Sequence, residues 1–139
     1  MKLYWKVIVV VLIFGVPAFL TGRTIWPPST EMSPTSAQIP FFIILSIFEA
    51  LSFGLGVSFL TFGWKYVKKL FGKDRKMAFL VYASSTWQLI NWWPHDNFHA
   101  HNGSNMQGLL YIEYGFHVTL IISAAIIAYG LLRLSRENR

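Results

Sequence analysis

The sequence has 139 residues, of which 54% are hydrophobic and only 13% are charged, whereas soluble domains carry about 25% charged residues. The absence of cysteine excludes disulfides, zinc–thiolate sites and thiol nucleophiles. The net charge of +6 fits either nucleic acid or a membrane surface as the partner, so the position of the charges has to decide. The length and the apolar composition predict a single all-α domain embedded in a membrane.

Long uncharged stretches separate the charged runs and predict four membrane-spanning helices. The predicted spans cover about residues 4–22, 41–64, 77–93 and 109–134, with outer loops at 23–39 and 94–108 and a basic cytoplasmic loop at 65–76. The first stretch begins like a signal peptide, but no small-x-small cleavage site follows it, so we expect an uncleaved span. Pro17 is expected to kink this helix. The expected architecture is an integral membrane four-helix bundle.

The positive charges orient this bundle. Eleven of the twelve lysines and arginines, including Arg139, fall on one side of the predicted membrane, and only Arg23 lies opposite. Cytoplasmic loops carry the excess of positive charge in membrane proteins. We therefore expect a multi-pass protein of the cell membrane with both termini in the cytoplasm and residues 94–108 outside. The same distribution favours a lipid bilayer over nucleic acid as the basic partner.

All four histidines lie between residues 95 and 117, together with two carboxylates. The candidate metal ligands are His95, Asp96, His99, His101, Glu113 and His117. Glu113 and His117 are four residues apart and share one helix face. Without thiolates, imidazole and carboxylate ligands suit copper(II), zinc or non-haem iron(II). The predicted outer location and the lack of cysteine favour copper, with zinc or iron as alternatives.

This cluster has three possible interpretations. In the first, the histidines bind a metal ion. In the second, His95 and Asp96 cap the third span, His99 and His101 face water, and His117 bonds to Glu113 in a structural network. In the third, the same groups relay protons without a metal. The spacing matches no established metal-binding motif.

Three polar residues within the predicted spans need explanation, because polar groups inside a membrane are costly. They are Glu49, Gln88 and Asn91. Gln88 and Asn91 lie on one face of the third span, which we expect to meet the fourth. Glu49 could join a proton path, pair with Gln88 or His117, or be a protonated acid that bonds to a serine.

Two short patterns predict local structure. Ala50, Gly54 and Ser58 recur every four residues, which allows another helix to approach closely in the bundle. Asn102-Gly103-Ser104 fits both a turn and a glycosylation triplet, and we favour the turn.

Two segments around the histidines carry a resemblance. They are residues 92–103, WWPHDNFHAHNG, and residues 108–117, GLLYIEYGFH. These segments resemble small four-span proteins of ammonia-oxidising archaea, and the chain looks similar to accessory subunits of their copper-dependent ammonia monooxygenase. The resemblance implies a membrane complex, copper nearby and a supporting role, and it assigns no ligands.

We therefore expect a non-catalytic subunit of a larger membrane-bound oxidoreductase complex, whose partners are other membrane subunits. One alternative is a stand-alone membrane protein that binds or delivers metal. Another is a small membrane enzyme in which Glu113 and His117 act as acid and base.

Overall fold

In a computed structural model, residues 2–137 are described, and every regular element among them is helical. The elements are α1 (Leu3–Ile25), a 3₁₀ turn (Thr30–Met32), α2 (Ile39–Phe62), α3 (Trp64–Leu70), α4 (Arg75–Ile90), α5 (Trp92–Asn102), α6 (Met106–Ile112), a π-helical segment (Glu113–Val118) and α7 (Thr119–Glu137). The prediction of an all-helical chain is confirmed. Arg139, which contributed to the predicted orientation, lies outside the described residues.

Three helical stretches are long and apolar enough to cross a membrane. They are Leu3–Ile25, Ile39–Phe62 and Met106–Arg136. The third predicted span corresponds to α4, which has 16 residues and would extend only about 24 Å, against a hydrocarbon core of about 30 Å. Membrane insertion is thus supported, while the count of four spans and the orientation of the termini stay predictions.

Helices α1 and α2 pack closely because glycines remove side chains from their contact. A β-carbon on Gly54 would lie 2.9 Å from the carbonyl oxygen of Val11, and one on Gly15 would lie 2.9 Å from that of Ala50. Both distances are shorter than van der Waals contact. The two backbones can therefore approach this closely only because both positions are glycine. The close approach predicted from the spacing of small residues is confirmed, and the helix that approaches is α1 of the same chain.

Helices α4 and α7 are joined by polar contacts within an apolar setting. The Gln88 amide donates to the carbonyl oxygen of Leu120 at 2.6 Å and to the Ser123 hydroxyl at 2.8 Å. The Trp87 indole donates to the Thr119 hydroxyl at 2.9 Å. The prediction that the polar face with Gln88 meets the last helix is confirmed.

The basic segment at 65–76 is not simply a loop, because it contains α3. Val67 and Phe71 are buried against the start of α4, and this apolar contact holds the short helix in place. Asp74 caps α4 and pairs with Arg133 near the end of α7. The end of the molecule that carries most of the lysines is therefore ordered by apolar packing and one ion pair.

Most of the segment 94–108, which the sequence predicted as a loop, is helical, since α5 continues to Asn102; its outer location stays a prediction. The predicted third span ended at residue 93, directly before Pro94. In fact α4 ends at Ile90, and Pro94 lies in the first turn of α5, where backbone N–H groups have no partner within the helix and proline is tolerated. The break between the helices is at Asn91.

The connections predicted at 23–39 and 94–108 are compact. Gly103 has a φ of 53°, and the Asn105 N–H donates to the carbonyl oxygen of Asn102 at 2.9 Å, which confirms the predicted turn. In the predicted loop 23–39, α1 runs on to Ile25 before the chain becomes irregular. The Ser29 N–H donates to the carbonyl oxygen of Ala100 at 2.9 Å, so this connection is tied to α5.

Candidate metal centre

Three of the four histidines converge at one end of the bundle. His95 and His99 lie one turn apart on α5, and His117 faces them from the π-helical segment. Each of the three offers a ring nitrogen within 4.8 Å of the others. The ring centroids of His95 and His99 are 4.6 Å apart, and those of His95 and His117 are 4.7 Å apart. Three imidazoles at such distances could hold a metal ion.

A carboxylate holds the Nδ1 atom of two of these rings. Nδ1 of His117 lies 2.5 Å from Oε2 of Glu113, and Nδ1 of His95 lies 3.2 Å from Oδ1 of Asp96. An ionised carboxylate can only accept hydrogen bonds. A neutral ring that donates from Nδ1 to an ionised carboxylate has its free lone pair on Nε2.

These two Nε2 atoms face each other at 2.7 Å. Two lone pairs repel at this distance, so the arrangement is favourable only when a proton or another cation lies between them. Two imidazole ligands on a tetrahedral metal are about 3.3 Å apart for metal–nitrogen bonds of about 2.0–2.1 Å. A metal would therefore require the two Nε2 atoms to separate by about 0.6 Å.

The π-helical segment from Glu113 to Val118 interrupts the last long helix at the site. Such segments are rare and occur frequently at functional sites, because the wider turn alters which side chains share a face. The Thr119 hydroxyl lies 2.7 Å from the carbonyl oxygen of Gly115 and 3.0 Å from that of Phe116, so it supports the backbone there. The segment sets Glu113 and His117 against α5.

The histidines differ in their surroundings. His95 is buried, with 7% of its surface exposed, and this burial lowers the pKa of its ring, which the neighbouring His99 lowers further. The burial therefore favours the neutral form of the His95 ring, which is the form that binds a metal. The side chains of His117 and Glu113 are 39% and 51% exposed, so the site opens on that flank.

The fourth histidine does not join the group. His101 Nδ1 lies 2.9 Å from the carbonyl oxygen of Pro27, and this contact ties the connection between α1 and α2 to α5. Ser104 and Glu31 pair nearby between the same two segments. Of the six ligands proposed from the sequence, three converge: His95, His99 and His117. Asp96 contacts Nδ1 of His95, and Glu113 contacts Nδ1 of His117. His101 contacts only the backbone of Pro27.

The polar residues expected inside the membrane take different positions. Glu49 is 7% exposed, and its carboxyl group faces that of Asp96. Among residues 2–137, Glu49 forms no hydrogen bond with Gln88, His117 or a serine, so those expected pairings are wrong. Asn91 is 2% exposed at the junction of α4 and α5, and its Nδ2 has no hydrogen-bond partner in the described part of the chain.

Comparison with known proteins assigns the chain to no family. No protein-family model, curated protein sequence or solved structure matches the chain.

Proposed function

We propose that this chain is a membrane-embedded, metal-binding subunit of a larger oxidoreductase complex, with His95, His99 and His117 as the ligands. One observation carries the proposal: two Nε2 atoms face each other while each Nδ1 is held by a carboxylate. Histidines that bind metals almost always donate their other ring N–H in this way, because the carboxylate fixes the tautomer and makes the ligand more basic.

The ligand set indicates which metals fit. Three imidazoles without a thiolate suit copper(II), zinc or iron(II), and a site with three protein ligands leaves a position for water or another group. Copper is the metal we propose, because the histidine segment is expected on the extracytoplasmic side. A kinship of residues 92–103 and 108–117 with accessory subunits of archaeal ammonia monooxygenase is part of the same proposal and would imply copper as well.

The exposed flank of the site supports a subunit of a complex. Glu113 and His117 belong to the apolar stretch Met106–Arg136, yet both side chains are substantially exposed. Ionisable groups in membrane helices almost always face protein or water rather than lipid. Large exposed apolar residues lie close to them in the sequence, namely Leu110, Tyr111, Tyr114, Val118 and Ile121. A partner subunit on this face would remove both ionisable groups from lipid.

The same contacts favour one further candidate function. The 2.7 Å between Nε2 of His95 and Nε2 of His117 is also the length of a hydrogen bond, so the rings could share a proton. In that case Glu113 and His117 would form an acid–base pair, in a relay or in a small enzyme. Metal binding and proton sharing occupy the same position, and one experiment separates them.

That experiment measures metal content. The purified full chain is incubated with copper(II) or zinc, separated from free metal and analysed beside His95→Ala, His117→Ala and His101→Ala. We expect one tightly bound ion per wild-type chain, its loss in the first two variants and its retention in the third. Equal metal content in all four proteins would show that these histidines are not metal ligands. If the wild-type chain bound no metal, a proton shared by His95 and His117 would be the remaining explanation of their short Nε2–Nε2 distance.

A further inference from the structure

A groove of about 410 Å³ lies at the end of the molecule opposite the histidines. Helix α1 begins at this end with Leu3, whereas Gly22, near the other end of α1, lies against Asn97 of α5. The groove is bordered by α1, α2 and α3 with one residue of α4, and its lining includes Leu3, Val7, Leu55, Phe59, Phe62 and Tyr66. Its volume falls within the range of about 300–1,000 Å³ that ligand sites occupy.

The wall of this groove is apolar along α1 and α2. Ser58 belongs to the lining, but its hydroxyl donates to the carbonyl oxygen of Val7 at 3.3 Å and is already satisfied. From Phe62 to Leu55 the wall follows about two turns of α2, or about 10 Å. Half of a hydrocarbon core of about 30 Å is about 15 Å, so the wall covers much of the depth of one leaflet. Such a wall suits an acyl chain.

One end of the groove lies where α1 begins and α2 ends, and lysines stand on both sides of it. Two are on α1, each directly before a lining residue, and two are on α3: Lys2, Lys6, Lys65 and Lys69. The Nζ atom of Lys65 lies 4.8 Å from the centroid of the Tyr66 ring. Lys69 follows Tyr66 by three residues and therefore shares its face of α3. Positive charge thus borders the groove where Tyr66 lines it.

These four lysines are exposed and form no ion pair within the described residues 2–137. Asp74, in the connection that follows α3, is already paired with Arg133. Trp5 and Trp64 are exposed at the same helix ends, and tryptophan is enriched where membranes meet water. The charge at this end is therefore available to an anion at the membrane surface.

We propose that the groove binds one anionic phospholipid of the bilayer. Its acyl chain lies along the wall formed by α1 and α2, and its phosphate headgroup lies among the lysines that flank Tyr66. An acyl chain alone would not need the lysines, and a free phosphate would not need the apolar wall. The site is separate from the three-histidine group and requires no metal.

The test counts phospholipids bound to the full chain by native mass spectrometry. The chain is purified in mild detergent, freed of lipid and titrated with phosphatidylglycerol or with phosphatidylcholine that carries the same acyl chains. We expect one tightly bound phosphatidylglycerol per chain. Each lysine near an anionic headgroup strengthens binding roughly fivefold, so half-saturation with phosphatidylcholine should need at least about tenfold more lipid. High salt should reduce this preference because it screens exposed charges.

One pair of double variants tests the headgroup contact. Lys65→Gln with Lys69→Gln should weaken phosphatidylglycerol binding at least about fivefold and leave phosphatidylcholine binding unchanged. Lys68→Gln with Lys73→Gln removes the same charge away from the face of Tyr66 and should bind as wild type does. All four lysines are exposed, so neither change should disturb the fold.

A second pair tests the acyl-chain contact. Leu55→Asn places an amide in the apolar wall and should weaken the binding of both lipids several-fold, because a buried polar group without a partner is costly. Leu60→Asn, which alters a similarly exposed residue on another face of α2, should have no effect.

Two results would overturn the proposal. Equal affinity of the wild-type chain for the two lipids would show that the groove holds only ordinary bilayer lipid. An equal loss of phosphatidylglycerol in both lysine double variants would show that net charge, and not this groove, attracts the lipid.

Discussion

The Nε2 atoms of His95 and His117 lie 2.7 Å apart, although the residues belong to different helical segments. A carboxylate contacts the other ring nitrogen, Nδ1, of each histidine: Asp96 contacts His95, and Glu113 contacts His117. In neutral rings that donate from Nδ1 to these carboxylates, the free lone pairs of both Nε2 atoms point toward the same place. His99 supplies a third nitrogen near the same point, so the arrangement has the directionality that a metal requires.

The supporting carboxylates give the first prediction. Asp96→Asn and Glu113→Gln should each weaken metal affinity by roughly 10–100-fold, because the ligand loses its charged hydrogen-bond partner but remains in place. Isothermal titration of the purified chain measures the affinity. Glu31→Gln serves as the matched exposed carboxylate and should bind as wild type. Complete loss of metal in Glu113→Gln would instead make that carboxylate a direct ligand.

The buried histidine gives a prediction about pH. The pKa of His95 lies below its ordinary value of 6.5 because of burial and of the nearby His99 and His117, with Asp96 opposing them. A group whose pKa is lowered by folding contributes stability that is present above its unfolded value and lost as the pH falls through its folded value. The unfolding midpoint of the metal-free chain should therefore fall as the pH drops below about 6.5.

A variant assigns that pH dependence. His95→Gln should flatten the decline of the midpoint on acidification, whereas His101→Gln should retain it because His101 lies outside the three-histidine group. Identical profiles in wild type and His95→Gln would show that other groups control acid stability.

The contact between α1 and α2 gives a prediction about stability. Gly54→Ala should destabilise the metal-free chain by about 1–3 kcal/mol, because the new β-carbon would lie 2.9 Å from the backbone of Val11. Gly115→Ala is the matched control, since its β-carbon would meet nothing within 4 Å. It should be neutral or stabilise the helix by about 0.5–1 kcal/mol. Thermal unfolding compares the two, and equal midpoints would contradict the close packing.

The exposed flank of the histidine group gives a prediction about assembly. In mild detergent extracts of native membranes, the chain should migrate with other subunits, and Tyr111→Ala together with Tyr114→Ala should release it. Both tyrosines are highly exposed, so their truncation should spare the fold of the chain itself. Phe41→Ala, which alters a similarly exposed residue on α2, is the control. A wild-type chain that migrates alone would contradict a role as a subunit.

Much of the fold was predictable because it depends on patterns within short segments of the sequence. Apolar runs predicted the long helices, and the spacing of Gly54 and its small neighbours predicted a close helix contact. The stripe with Gln88 predicted the contact with α7. The i, i+4 spacing of Glu113 and His117 predicted their hydrogen bond, since it survives the change from α- to π-helical backbone.

Other parts of the site depend on contacts that no local pattern states. Pro94 suggested a loop, because a proline at a helix start and one after a helix end look alike in sequence. The sequence did not distinguish His99 from His101 as a ligand. Only the packing of α5 shows that His99 lies near His117 and that His101 does not. The proximity of Glu49 to Asp96 depends on how α2 and α5 pack.

The most direct test of the metal centre is X-ray absorption spectroscopy of the copper- or zinc-loaded full chain. We expect scattering from imidazole rings at metal–nitrogen distances of about 2.0–2.1 Å, with three histidine ligands in wild type and in Asp96→Asn. The number should fall in His99→Ala and stay unchanged in His101→Ala. A spectrum without imidazole scattering, or one dominated by carboxylate oxygens, would contradict the three-histidine centre.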